Sequence, residues 1–252
     1  MLKFDKILSE DQSRLYSSRV LNCKDIFNNY GDNKFSILGA ASYANSLDEY
    51  ILVTNKTNPI IEHNFIDLLN KVKEYIESQV NQECIFNEDL SYPGFHIFYA
   101  NHETSLLPLT SLHIDTPYEL HRNYFSKKYN SVDFDFPLTF TLALQLPKSG
   151  GALYYWDKEG WEKQTEKENH EFYSDIHNKY EKIFESDIPS TKDYEKFLEP
   201  KILNYEIGSM VLFKGNLLHQ IAPFSEPVSE NELRITLQGH GLKCDGKWVL
   251  YF

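Results

Sequence analysis

The chain has 252 residues, 41% of them hydrophobic, and its 37 acidic against 25 basic side chains leave a formal net charge of −12. A chain of this length buries roughly 70% or more of its unfolded surface and needs neither disulfides nor a structural metal to fold. Its acidic balance argues against tight, sequence-independent binding to phosphate backbones. The three cysteines, Cys23, Cys84 and Cys244, show no CxxC spacing, which speaks against a disulfide framework or zinc finger and for a reducing compartment. No apolar run approaches the ~20 residues of a membrane span, and the N-terminal MLKFDKILSEDQ holds no signal-peptide core. The expectation is one domain over residues 1–252, cytoplasmic, with neither nucleic acid nor membrane as a partner.

In chain order, residues 1–57 read as mixed, with one expected strand at 50–54 and no functional signal. Between residues 58 and 82, Ile61, Phe65, Leu68, Leu69, Val72, Tyr75, Ile76 and Val80 recur at helical spacing, with Pro59 suited to a first helical turn. This predicts an N-terminal flank, 1–90, built around an amphipathic helix. From residue 95 the pattern changes to short runs of β-branched and aromatic residues: FHIFYA, SLHID, LTFTLALQL, ALYYW, MVLF, LRITLQ and KWVLYF, separated by Pro, Gly, Asn or Asp. Short strands without intervening helices predict a sandwich or barrel core over 91–156 and 201–252. Residues 157–200 interrupt it with 13 Asp or Glu and 7 Lys, helix-like at 161–183 and 191–198. A solvated helical insertion is the ordinary reading of such a charge run. A lid over the barrel mouth is the functional one.

The segment Ser111-Leu112-His113-Ile114-Asp115 carries the first chemical signal. Residues i and i+2 of a strand share a face, so an imidazole and a carboxylate point the same way and need a third ligand to complete a metal site. His219, after the strand 210–213 and the turn residues Gly215 and Asn216, is the candidate. Two His and one carboxylate leave open positions, the arrangement of non-haem Fe(II) oxygenases. In the strand 233–238, Arg234, Thr236 and Gln238 share one face. A guanidinium among apolar strand residues needs an anion, either a surface carboxylate or a ligand held bidentately with help from the Thr236 hydroxyl. Along 138–146, Thr139, Thr141, Ala143 and Gln145 alternate with Leu138, Phe140, Leu142, Leu144 and Leu146. The small polar face fits either solvent or a bound polar cofactor.

These elements in this order, namely His113-x-Asp115, Gly150-Gly151-Ala152-Leu153, the Gly-Ser-Met-Val-Leu-Phe strand leading to His219, and Arg234-x-Thr236, resemble the Fe(II)- and 2-oxoglutarate-dependent oxygenases. The resemblance covers roughly residues 95–238, with 157–200 outside it. It implies a mainly β (α+β) fold with flanking helices around a double-stranded β-helix, or jelly-roll, barrel. It implies further that His113, Asp115 and His219 hold Fe(II), that 2-oxoglutarate chelates the metal through its C1 carboxylate and C2 ketone, and that Arg234 clamps the far carboxylate. Thr236, Tyr99, Thr141 and Gln145 are the other candidate cofactor contacts. Oxygen is then the co-substrate and succinate and CO2 are products. A carboxylate at Asp115 favours hydroxylation over halogenation.

Of the remaining histidines, His63, His170 and His177 read as surface residues. His102 and His121 flank the HxD segment, His240 closes the Arg234 strand, and with His96 and Trp156 they form the candidate substrate set. Packing is the more usual role of Trp156, Trp161 and Trp248. The expected partner is a small polar metabolite, a free amino acid being favoured because the acidic insertion suits a cationic ligand. Three alternatives stay open: the same chemistry on a protein side chain, a zinc hydrolase using the same triad, and a cupin-like binding protein without turnover. Oligomeric state leaves no mark in the sequence.

Overall fold

The computed structural model describes residues 2–30, 35–106, 108–156, 200–214, 217–225 and 232–252, apart from the side chains of 102, 103 and 214. Expectations for 157–199, including a lid, Trp161, His170 and His177, lie outside the described residues. In chain order the elements are β1 (Leu2–Lys6), α1 (Glu10–Asn22), β2 (Asn28–Tyr30), β3 (Phe35–Leu38), α2 (Leu47–Val80), β4 (Cys84–Phe86), β5 (Gly94–Tyr99), α3 (His102–Leu106), α4 (Arg122–Lys128), β6 (Val132–Gln145), β7 (Leu153–Trp156), β8 (Lys201–Leu203), β9 (Ser209–Lys214), β10 (Leu218–Ile221), β11 (Leu233–Cys244) and β12 (Lys247–Tyr251).

Two of the N-terminal expectations fail. Residues 50–54 are helical, because α2 starts at Leu47: the Ser46 hydroxyl accepts the Glu49 amide while the Glu49 carboxylate accepts the Ser46 amide at 2.9 Å. That reciprocal cap satisfies two otherwise orphaned donors and overrides the β-rich composition that follows. Pro59 therefore lies inside the helix, not in its first turn.

The larger sheet runs β1-β9-β6-β11-β5-β3-β2, with β12 continuing beside the far half of β11 and pairing in parallel with β4. Its outer face is the core. Ile61, Phe65, Leu68, Leu69, Val72 and Ile76 of α2, with Tyr16 and Val20 of α1, pack on Phe95, Ile97, Leu138, Phe140, Leu142, Leu144, Met210, Leu212, Ile235 and Leu237. Because side chains alternate across a strand, the other face of β5, β6 and β11 turns inward. A smaller sheet, β10-β7-β8, faces it, and the two enclose a cavity of about 610 Å³. The fold is a jelly-roll barrel flanked by helices. Among the described residues no helix is long and apolar enough to cross a membrane.

Two glycines fix how the barrel closes. Gly150 and Gly151 adopt φ of 81° and 67°, where a β-carbon is strained, and the Gly151 amide donates to the Pro223 carbonyl at 3.0 Å. A β-carbon on Gly150 would run into the backbone of Pro223 and Ser225, and one on Gly151 would lie 3.3 Å from the Arg234 Cδ. The Gly-Gly pair lets two loops touch and leaves room for the Arg234 stem.

Candidate active site

His113 and His219 face each other across an isolated bridge. Their backbones exchange both hydrogen bonds, at 3.0 and 2.9 Å, and this brings the two rings to 4.4 Å. The segment 111–115 is not the strand expected from its composition. Leu109 pairs with Ile221 and His113 with His219, so the 109–113 side carries two extra residues. The Ile221 amide is taken by the Thr110 hydroxyl at 2.8 Å in place of a ladder carbonyl, as in a bulge. Asp115 still returns to the same side, with its two carboxylate oxygens each 3.5 Å from an imidazole Nε2, one of His113 and one of His219.

The protonation of this triad is set by the backbone. His113 Nδ1 donates to the Ser111 carbonyl at 2.7 Å, and His219 Nδ1 donates to the Leu217 carbonyl at 2.8 Å. Each carbonyl lies two residues before its own histidine and leaves Nε2 as a lone pair. Burial pushes the His219 imidazole down to about 4 against the pull of Asp115. At His113, burial is outweighed by the Asp115 carboxylate, and the pKa rises. At Asp115, burial is outweighed by the two imidazoles, which hold its carboxyl well below the usual range. Asp115 is 8% exposed, and its Oδ2 has no hydrogen-bond partner among the described residues. Two lone pairs converging on a carboxylate is a repulsive set, relieved by a proton taken up on His113 or by a cation held among the three. The donors lie within 4.8 Å of one another, and second-side hydrogen bonds from ligating imidazoles to carbonyls are what orient such ligands.

Arg234, on β11, is 1% exposed in the same cavity. Its Nη1 donates to the Thr236 hydroxyl at 3.4 Å, whereas Nε and Nη2 have no partner among the described residues. Its guanidinium carbon lies 4.9 Å from the Tyr205 ring centre and 5.8 Å from that of Phe98. An arginine stays charged in such a place, and a buried, unpaired cation costs several kcal/mol. The geometry calls for an anionic ligand.

The other candidates divide. Thr141, His96 and His240 line the cavity, and Thr236 lies buried beside Arg234. Of the small face of β6, Thr141 thus meets the cavity, while Thr139 and Ala143 are buried beside it and do not face solvent. Tyr99 does not line it. On β5 the even positions, His96 and Phe98, face inward, and Tyr99 points away, its hydroxyl 3.2 Å from Ser36 Oγ. Gln145 also falls outside, at the end of β6 opposite Ile235, where a register shift separates it from the pair Ala143 and Thr236. Trp156 sits on β7 opposite Leu218 and is buried, but does not line the cavity. His121 is buried against Tyr50, ring centres 4.4 Å apart, and is likewise not a lining residue. His102 opens α3, its side chain outside the described set.

Sequence reasoning missed residues 1–57 altogether, yet Phe35, Ser42 and Tyr43 line the cavity. Phe35 stacks on Phe98 at 4.4 Å because β3 pairs with β5. Tyr43 is 59% exposed while its hydroxyl reaches the buried His96 Nε2 at 2.7 Å. Tyr205, beside Arg234, was missed as well. Neither tyrosine sits in a periodic element that would announce it.

A jelly-roll barrel with a His-Asp-His set able to hold a metal on one wall and, in the same cavity, a buried arginine with no anion among the described residues defines a class of site. No protein-family model matches the sequence, and no curated protein matches it. Solved structures do match. An N-substituted L-amino acid dioxygenase from Burkholderia ambifaria AMMD aligns at 13% identity over 100% of this chain and 86% of that one, with a TM-score of 0.55. The structure of such a dioxygenase from the same organism in complex with alpha-KG aligns at 12% identity over the same shares, with a TM-score of 0.52. The non-heme alpha ketoglutarate dependent epimerase SnoN from nogalamycin biosynthesis aligns at 10% identity over 95% of this chain and 76% of that one, with a TM-score of 0.51. The chain has the fold of the non-haem iron, 2-oxoglutarate-dependent oxygenases.

Proposed function

We propose that the chain is an Fe(II)- and 2-oxoglutarate-dependent oxygenase that oxidises a small polar molecule of amino-acid size. The observation that carries this reading is the Arg234 guanidinium, buried with no anion among the described residues in the same cavity as the His113, Asp115 and His219 donors. A hydrolytic metal site gives that arginine no purpose. The cavity, about 610 Å³, lies in the range of small-molecule sites. The neighbours named as amino acid dioxygenases support the size class.

His113 and His219 would offer Nε2 and Asp115 an oxygen to Fe(II), and Arg234 with Thr236 would receive the far carboxylate of 2-oxoglutarate through charge-assisted hydrogen bonds. When bound, iron and 2-oxoglutarate together supply oxidation by O2, releasing succinate and CO2 and leaving one oxygen atom for the substrate. The protein's own part is orientation. The Ser111 and Leu217 carbonyls hold the tautomers of the two imidazoles. Phe98, Phe213, Leu153 and Ile221 give the cavity its apolar walls, and Thr141 keeps a small polar side chain where a bulkier one would fill the space.

The test is anaerobic addition of Fe(II) and 2-oxoglutarate while recording the weak visible metal-to-ligand charge-transfer band of a chelated 2-oxo acid. Wild type is expected to show the band and His219→Ala to lose it. Iron binding without the band in wild type would sink the reading.

A further inference from the structure

We infer that the substrate end of the cavity is a neutral hydrogen-bonding floor made by His96, Gln238 and His240, and that the substrate group it receives is an uncharged amide, carbonyl or hydroxyl and not a second carboxylate. This rests on the oxygenase reading above and narrows its substrate class.

The floor follows from register. On the inward face of β11, Arg234, Thr236, Gln238 and His240 succeed one another at every second position, with His96 of β5 opposite Thr236, Thr141 of β6 opposite Gln238 and Thr139 opposite His240. Six residues of strand span about 20 Å, so the cationic end at Arg234 and the end at His240 are well separated on one surface. Arg234 is already committed to the co-substrate. The far end is where a second molecule is read.

Each imidazole there is tied to a hydroxyl. The Tyr43 hydroxyl lies 2.7 Å from His96 Nε2, and Thr139 Oγ1 lies 3.1 Å from His240 Nδ1. Burial, with the Arg234 charge adding to it, pushes His96 down to about 3, and burial likewise lowers His240. Both rings are therefore neutral, each with one donor and one acceptor nitrogen, and Gln238 adds an amide with both functions. Phe35 and Phe98, stacked at 4.4 Å, make the adjoining wall apolar.

Charge completes the case. Among the described residues lining the cavity, the charged groups are Asp115, Glu119 and Arg234. Glu119 is held by Arg122 through bonds of 3.1 and 2.9 Å, and Asp115 belongs to the triad. A substrate carboxylate on the floor would be stripped of water with no described basic side chain left to meet it, since Arg234 and the iron of the oxygenase reading are both taken by the co-substrate and the triad, a costly transfer. An amide or hydroxyl pairs there without that cost. A free amino acid meets this site less well than one whose carboxylate is masked.

The experiment uses the full chain loaded anaerobically with Fe(II) and 2-oxoglutarate. The charge-transfer band is titrated with N-acetyl-L-amino acid amides of Ala, Val, Leu, Pro and Phe and with the corresponding N-acetyl-L-amino acids, pairs that differ in one terminal group. At least one amide is expected to perturb the band at a concentration tenfold or more below its carboxylate partner. Gln238→Leu and the near-isosteric Gln238→Glu are expected to raise that amide concentration at least tenfold while changing half-saturation by 2-oxoglutarate less than twofold. The unchanged band is the check that each variant is folded. A carboxylate partner as effective as its amide, no amide perturbing the band, or variants that leave the amide response intact would overturn the inference. Failure of the band itself in wild type would instead overturn the oxygenase reading.

Discussion

On the small-sheet side of the cavity, the three triad donors hang from irregular backbone, an extended segment with a bulge and the short strand β10. On the large-sheet side, Arg234, Gln238 and His240 ride one strand of 12 residues that is paired along both edges. On the proposed oxygenase reading, the difference reflects two tasks. Regular pairing sets same-face side chains about 7 Å apart along a strand, too wide for three atoms to meet on one ion but well suited to gripping a ligand at separated points. Convergence needs an irregular backbone, and each imidazole must then be fixed individually, which the carbonyls two residues upstream do.

If the walls divide labour in this way, variants on each should fail differently. Asp115→Ala should lower Fe(II) affinity by more than the roughly 10–100-fold that changes behind a metal ligand cost, measured by anaerobic titration, and should return the metal-free His113 pKa toward its ordinary value, since the carboxylate that raises it is gone. Phe140→Ala, on the core side of β6, should cost about 3–5 kcal/mol in denaturant unfolding and leave half-saturation by 2-oxoglutarate unchanged under native conditions. Arg234→Met should raise half-saturation by 2-oxoglutarate about 100-fold, the order expected for losing charged hydrogen bonds worth roughly 3 kcal/mol, yet leave the melting temperature of the ligand-free protein equal or higher. A large loss of stability on Arg234→Met would mean the guanidinium is paired in the fold itself and the two walls are not divided as described.

The large-sheet wall was the more legible in the sequence. Strand period two displayed Arg234, Thr236 and Gln238 on one face of β11, and the small residues of β6 on one face against leucines on the other, because those strands are long and flanked by clear turns. Parity failed on β5, where apolar residues fill both faces and Tyr99 was placed with the wrong set. At Gln145 the bulge between Ile235 and Thr236 broke a periodicity that the sequence does not reveal. His113, Asp115 and His219 were legible as residue types at a spacing, although the segment that carries two of them is not a strand. Tyr43, Tyr205 and Phe35 left no trace, since what brings them to the cavity is pairing between β3 and β5 and the path of loops. The strand expected at 50–54 failed for a local reason that was present in the sequence, the Ser46 and Glu49 cap.

The smallest effect expected separates the walls by pH. In protein stripped of metal by a chelator, His113 has its pKa raised by Asp115 and His96 has its own lowered to about 3 by burial. The unfolded chain titrates both near 6.5. For His96 the unfolded state binds more protons between about pH 6.5 and 3, so its share of stability is fully present above pH 6.5 and is lost as pH falls toward 3, about 2 kcal/mol of it by pH 5. For His113 the sign is opposite. Its share is present below pH 6.5 and disappears as pH rises through the folded value. Imidazole nitrogen chemical shifts recorded from pH 8 to 5 should show His113 gaining its proton early and His96 staying neutral throughout. His96→Gln should flatten the acid limb of the stability curve, because a neutral amide carries no proton to exclude. An early-titrating His96 would mean that the floor carries positive charge near neutrality and would suit an anion after all.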